Sequence, residues 1–545
     1  MTSSPIHRKL LAAGVALGLA GLAACGADES AGGDGQTFVF ASSRLPTTLD
    51  GAYIYDNESQ RVIYQIFDRL TNVEPGTSEL TGELATDWDV SDDGLRHTFN
   101  LREGVKFHDG TDLDAEAVCF NFDRLYELEG QAQTLAEYWK IAFKGFKEDA
   151  EGNSGDSRYE SCEVVDPTTL TIHINEPYAP LPAAVANIGF GIASPAALQE
   201  SGWAVEASGD SLDFVGKFGT ENPVGSGPFK FESWDPGKNV TLVKNEEYWG
   251  DPATIDTLIY VPIDDGQARR QALERGEIDG YDNVAPQDVE ALTSAGYAME
   301  ERPPSNTGYL AMNRDFEPLD DVEVRRAVSH AINRDALLQA NFLEGAVKPT
   351  GLLPPGFTGS DGDVPQYEYD QEKARELLSG ADAEDLKVEI TYATEVTRPY
   401  MPDPQGIAET FKSDLEAVGF EVTLVGRPWS PDFLGGIRNG ESMMYIVGLL
   451  PDMSDPANFM TLMNAGPGRW GTMPDELLDQ ITAAETAPPE EREELYRALN
   501  AAVMEDAPMV PYVHAPTHLA FREGTSGFVP SPLFAESMAT VEMSD

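Results

Sequence analysis

Apolar positions recur along this chain with two different periods. Residues 37–41 (TFVFA) form a β-rich run, and after LPTTLD the stretch 60–70 places Val62, Ile63, Ile66, Phe67 and Leu70 on one helical face. Residues 97–101 (HTFNL) alternate polar and apolar, as a half-buried strand does, with turn signals at Asp93-Gly94 and Asp109-Gly110 on either side. Asp114 is placed to cap a helix carrying Val118, Phe120 and Phe122. Further on, Val224-Gly225-Ser226-Gly227-Pro228 predicts a tight glycine turn before a strand over 229–234. Residues 269–275 predict a helix closed by Gly276. Residues 324–338 predict one core-facing helix, with Val324, Ala327, Val328, Ala331 and Ile332 inward. Strand-like and helix-like segments are mixed without repeats, and the 50 Gly and 37 Pro are scattered rather than gathered in a linker. The pattern predicts interwoven α/β domains.

The N-terminus follows neither period. Arg8 and Lys9 precede an apolar run over 10–20 that is too short to span a bilayer comfortably, which predicts a signal peptide over 1–24. Residues 22–26 (LAACG) resemble the lipobox of bacterial lipoproteins. That resemblance implies cleavage before Cys25 and a lipid on its thiol, each buried CH₂ adding about 0.8 kcal/mol of anchorage. An ordinary signal peptide with an incidental cysteine is the alternative. Residues 25–36 would then hold the lipidated cysteine and a Gly- and acid-rich flexible tether. No later stretch approaches the roughly 18 apolar residues of a spanning helix, so the folded part is expected to be soluble. Its length calls for two or three domains.

Charge narrows the partners. With 93 acidic and 37 basic residues the formal net charge is −56, which would repel nucleic acid and anionic lipid across the whole surface. The excess acid reads as a solvated surface, suited to a salt-tolerant organism, rather than as a ligand site. Cys119 and Cys162 form an even pair in an exported chain and can oxidise to a disulfide. Two buried thiols or two metal ligands are the alternatives.

The order of motifs carries a specific resemblance. LATDWDVSDDGLRHTFNLREGVKFHDGTDLDAEAVCFNFDR (84–124) is followed by NPVGSGPFKFESWDPGKNVTLVKNEEYWGDP (222–252) and RRQALERGEIDGYDNV (269–284). MNRDFEPLDDVEVRRAVSHAINRDALL (312–338) and YDQEKARELLSGA (369–381) come next. Over almost the entire mature chain this order resembles the peptide- and nickel-binding cluster, family 5, of the solute-binding proteins that serve ATP-driven ABC importers. The resemblance implies a bilobal periplasmic-binding-protein-like α/β fold of the class II type with an extra inserted domain. Lobe I maps to 37–74, 215–305 and 509–545, the inserted domain to 75–214 and lobe II to 306–508. Hinges are expected near 303–309 and 508–512, where two chain crossings let the lobes close like jaws.

The ligand would lie between the lobes. Residues 397–402 (TRPYMP) look like the motif of dipeptide receptors whose arginine, here Arg398, grips the ligand's C-terminal carboxylate through two parallel N–H donors. In 448–456 (GLLPDMSDP) the resemblance makes Asp452 the acceptor of the ligand's α-ammonium group. The alternatives are an ion pair within the lobe for Arg398 and a turn cap for Asp452, because Asp455-Pro456 adjoins it. Leu449 stands where the family usually has tryptophan and supplies area without a flat polarisable ring. Trp429 matches another family tryptophan, and Tyr309 at the hinge completes the expected ligand set.

No GxSxG, HExxH or phosphate-loop motif is present, His108-Asp109-Gly110 sits at a turn, and seven histidines lack clustered spacing. No cofactor, metal site or catalytic residue is expected. The reading is an extracytoplasmic, lipid-anchored, monomeric receptor that captures short peptides and presents its closed form to an ABC permease and its ATPases. A receptor for another solute (oligosaccharide, opine or chelated metal) and, from another class, a secreted hydrolase are the competing readings.

Overall fold

The computed structural model describes residues 35–544 apart from 55, 150–151, 209–210, 343, 382–384 and 465–466. The signal peptide over 1–24, Cys25 and most of the tether lie outside the described residues. No described helix is long and apolar enough to cross a membrane.

Two mixed sheets define two lobes. In lobe I seven strands run in the order Phe229–Asp235, Asn239–Lys244, Thr257–Pro262, Thr37–Ser42, Gly280–Asp282, Thr517–Phe521, Ala298–Arg302. In lobe II five strands run Glu421–Arg427, Lys387–Ala393, Met444–Leu449, Thr307–Met312, Met509–Val513. The expected start of lobe I's last segment at 509 therefore shifts. Met509–Val513 pairs antiparallel with Thr307–Met312 in lobe II, and the chain returns to lobe I only at Thr517. The run MVPYV is apolar throughout and fits either buried sheet, so its pattern could not choose between them.

The crossings thus fall at 303–306 and 514–516, and they lie side by side. Asn306 donates from Nδ2 to the Ala515 carbonyl at 2.6 Å and accepts the Ala515 N–H at 3.2 Å. His514 Nδ1 lies 2.8 Å from the Asn306 carbonyl, and burial pushes that ring down to about 4, so it is neutral at pH 7.

Between lobe I's first and second segments stands the inserted domain, an antiparallel sheet ordered Ala85–Val90, Arg96–Leu101, Thr169–Ile174, Tyr159–Asp166. Asp114 caps the helix Ala115–Tyr126 by accepting the Ala117 N–H at 3.0 Å. That helix is joined to the strand Tyr159–Asp166 by the Cys119–Cys162 disulfide, across a Cα–Cα distance of 5.3 Å. Closing a loop of 43 residues is worth about 4 kcal/mol by chain entropy. Replacing both cysteines by alanine is expected to lower the thermal midpoint of unfolding, measured calorimetrically, while leaving no change in a thiol titration of denatured, unreduced protein from these two positions.

The His108 turn seats the inserted domain on lobe I. His108 donates its backbone N–H to the Gly225 carbonyl at 2.8 Å, and its Nε2 lies 3.0 Å from the Gly227 carbonyl. Glycine is needed there, because a Cβ on Gly225 would come within 2.1 Å of the Ile66 carbonyl oxygen. Burial pushes the His108 imidazole down to about 4, and Asp109 accepts from Thr111 and Ser194, so the pair is architectural.

Most local expectations stand, with shifted bounds: the helix Asn57–Ile66 starts at the Asp56 cap, and Gly266–Glu274 ends before Gly276 at φ 68°. The single helix expected over 324–338 is two helices, Val322–Ala331 and Arg334–Asn341. The break is local: Asn333 leaves helical geometry and accepts the Ala336 N–H at 3.0 Å as the cap of the second helix.

Candidate functional site

The arginine motif is a tight turn. Arg398 and Met401 exchange backbone hydrogen bonds at 3.2 and 2.9 Å, with Pro399 between them. Tyr400 anchors the turn: its carbonyl accepts the Tyr512 hydroxyl at 2.7 Å, and its buried ring lies on Gly448. A Cβ at Gly448 would sit 2.6 Å from two ring carbons and from the Thr307 carbonyl oxygen, so glycine lets the turn settle onto the end of the strand Met444–Leu449. That strand runs directly into Leu450, Pro451 and Asp452. The two sequence motifs are therefore neighbours at one edge of lobe II.

The Arg398 guanidinium lies 5.2 Å from the centroid of the Trp429 ring, which itself stacks on Phe433 at 5.4 Å. Its Nη1 donates to the Thr397 carbonyl at 3.3 Å, and no carboxylate pairs with it among the described residues.

The two aspartates of the second motif separate cleanly. Asp455 receives Arg492 on both oxygens, at 2.7 and 2.8 Å, and accepts the Ala457 N–H at 2.9 Å. It is the turn and ion-pair residue. Asp452 instead faces the inserted domain, where the Tyr138 hydroxyl donates to its Oδ1 at 3.3 Å. Gln60 of lobe I donates in turn to the Tyr138 oxygen, so a chain of hydrogen bonds runs through lobe I, the inserted domain and lobe II. The Asp452 backbone is held too: Asn187 Nδ2 donates to its carbonyl at 2.9 Å, and its N–H donates to Asn458 Oδ1 at 3.0 Å. Desolvation pushes the Asp452 carboxyl up to about 6, with the Tyr138 hydrogen bond opposing the shift.

Leu449 is half-buried and pairs with Thr307 in the sheet. Trp429 is half-buried beneath Arg398. Tyr309 lies wholly inside lobe II, 0% exposed, its ring 5.5 Å from Trp470. Tyr138, Asn187 and Gln60 were not among the sequence candidates. Their one local trace is Gly189, where a Cβ would meet Tyr138 Cδ2 at 2.8 Å, a fit visible only once the fold is known. The described residues hold no cluster of three or more His, Cys, Asp or Glu suited to a metal.

Two lobes joined by paired crossings, with unmatched charges on the facing edge of one, define a two-lobed receptor for a small solute. Residues 79–470 match the family model described as bacterial extracellular solute-binding proteins, family 5 Middle. The chain belongs to that family. It is 30% identical over 484 residues to the dipeptide-binding protein of Escherichia coli, covering 86% of this chain and 87% of the relative. It is 27% identical over 523 residues to heme-binding protein A of Haemophilus influenzae, covering 92% of each. The structure of the ABC transporter-associated periplasmic binding protein DppA from Helicobacter pylori, in complex with the peptide STSA, superposes with a TM-score of 0.74. That comparison covers 93% of this chain and 98% of the other at 26% identity.

Proposed function

We propose that the protein captures short peptides outside the cytoplasm, closes its lobes on them and presents the closed form to an ABC permease driven by its own ATPases. Arg398 takes the peptide carboxylate and Asp452 the α-ammonium group. One observation carries the reading: within one edge of lobe II, Arg398 has no carboxylate partner among the described residues and Asp452 has only a neutral phenol on its side chain. A zwitterion supplies both missing charges, and in a cleft of lowered dielectric each is worth far more than in water. The receptor works as a monomer without cofactor or covalent chemistry, tethered through lipid on Cys25.

A second reading, another solute in the same cleft, is favoured by Leu449. Where the family usually offers an aromatic ring to the ligand backbone, this chain offers an aliphatic side chain. Native mass spectrometry of freshly purified protein separates the readings. A mass increment equal to a di- or tripeptide is expected; an intact non-peptide solute sinks the peptide assignment. Turnover of added substrate would instead revive the hydrolase reading.

A further inference from the structure

Asp452 is an acid in the wrong company. The groups that meet it among the described residues are neutral: the Tyr138 hydroxyl from the helix Glu137–Phe143, the Tyr64 phenol from the helix Asn57–Ile66, and the carboxamides of Asn187 and Asn458 on its backbone. Behind Tyr64, Arg69 lies 4.5 Å from its ring centroid and is committed to Glu83, through Nε at 2.9 Å and Nη2 at 2.5 Å. Asp452 is half-buried, and a carboxylate that loses part of its water with no cation in its place is costly to hold. It is partly covered because the inserted domain touches lobe II here, through Tyr138, and again where the Ala179 N–H donates to the Glu485 carbonyl at 2.8 Å and Ser78 Oγ to the Gly356 carbonyl at 3.1 Å.

We propose that closure of the empty receptor is proton-coupled: Asp452 takes a proton from solvent when Tyr138 closes over it, and a bound ligand's ammonium group replaces that proton as the neutralising charge. The inference rests on the reading of Asp452 as the ammonium site. Geometry supports the direction of the hydrogen bonds. Because Gln60 donates to the Tyr138 oxygen, the tyrosine's own proton is directed to Asp452 Oδ1, leaving Oδ2 for the incoming proton or ammonium.

The sign follows from linkage. With Tyr138 against it the Asp452 carboxyl is raised from 3.8 to about 6, and an open form that turned it to water would restore the ordinary carboxylate value. Protonation therefore favours the closed empty form, and that contribution is lost as pH rises through about 6. The closed-to-open ratio of ligand-free protein should rise about tenfold between pH 8 and pH 5. An empty receptor would stay open at neutral and alkaline pH, where only ligand closes it, and would be partly self-closed in acid.

Paired spin labels at Asp251→Cys in lobe I and Glu376→Cys in lobe II, both exposed, report the inter-lobe distance. Ligand-stripped protein is expected to shift toward the short distance at pH 5, and Asp452→Asn to give the same, mostly closed distribution at pH 5 and pH 8. Identical wild-type distributions at the two pH values would overturn the proposal, as would a pH response that survives in Asp452→Asn. Because these measurements use no ligand, a separate titration with dialanine at pH 8 reports on the peptide reading alone.

Discussion

Arg398→Ala is expected to weaken binding of a cognate short peptide by about 2–5 kcal/mol, roughly 30-fold to several thousandfold, with the fold intact. The size comes from what the guanidinium does. On the proposed reading it offers parallel N–H donors to the ligand carboxylate from a half-buried position, and its removal would leave that carboxylate desolvated and unpaired. The fold should not suffer, because Arg398 pairs with no carboxylate among the described residues and its contact with Trp429 is at the edge of the lobe. Calorimetric titration against the free peptide and its C-terminal amide makes the assignment specific. Wild-type protein should lose most of its affinity for the amide, whereas the variant should bind both about equally. Unchanged affinity in the variant removes the carboxylate clamp.

The largest effect on stability is expected at Arg302→Met, a loss of about 3–5 kcal/mol. Arg302 is almost wholly buried and donates to both Glu536 oxygens, with Nη2 at 2.7 Å. Its Nη1 lies 3.8 Å from Asp282, which also pairs with Arg61. Glu536 holds the Ser531 N–H at 3.1 Å, and Ser305 Oγ donates to the Pro532 carbonyl at 2.5 Å, so the C-terminal segment is laced to the first crossing between the lobes. Methionine fills similar space but leaves Glu536 enclosed without its cation. The thermal midpoint should fall by several degrees, and Arg302→Met combined with Glu536→Gln should recover part of the loss, since the unpaired charge is then gone. Equal destabilisation in the single and double variants would place the loss in packing rather than charge.

Sequence legibility here follows the range of the interaction. Caps, turns and alternating strands depend on neighbours a few residues apart, so the Asp114 cap, the strand Arg96–Leu101 and the Gly276 stop could be read directly. Asn333 was legible in principle as a cap, but the apolar spacing on both sides of it outweighed that signal. The assignment of Met509–Val513 to a lobe was beyond pattern, because an all-apolar strand suits any buried sheet. The site divides the same way. Motif resemblance singled out Arg398 and Asp452, and the structure brings their loops together through Tyr400 and Gly448. The partners of Asp452 lie 314 residues away at Tyr138 and 265 away at Asn187, in segments with no motif of their own. Which of Asp452 and Asp455 is held by Arg492 likewise depended on a helix 37 residues on.

The doubled crossing between the lobes has a mechanical consequence. A single connecting strand would allow the lobes to bend, twist and slide. Two strands pinned together by Asn306, His514 and Ala515 act as a pair of gudgeons on one axle, which resists twist and leaves bending as the soft motion. The outer faces of the lobes then approach each other along one repeatable arc. A transporter that recognises both faces at once can therefore gauge a single angle, whatever solute happens to fill the space between them.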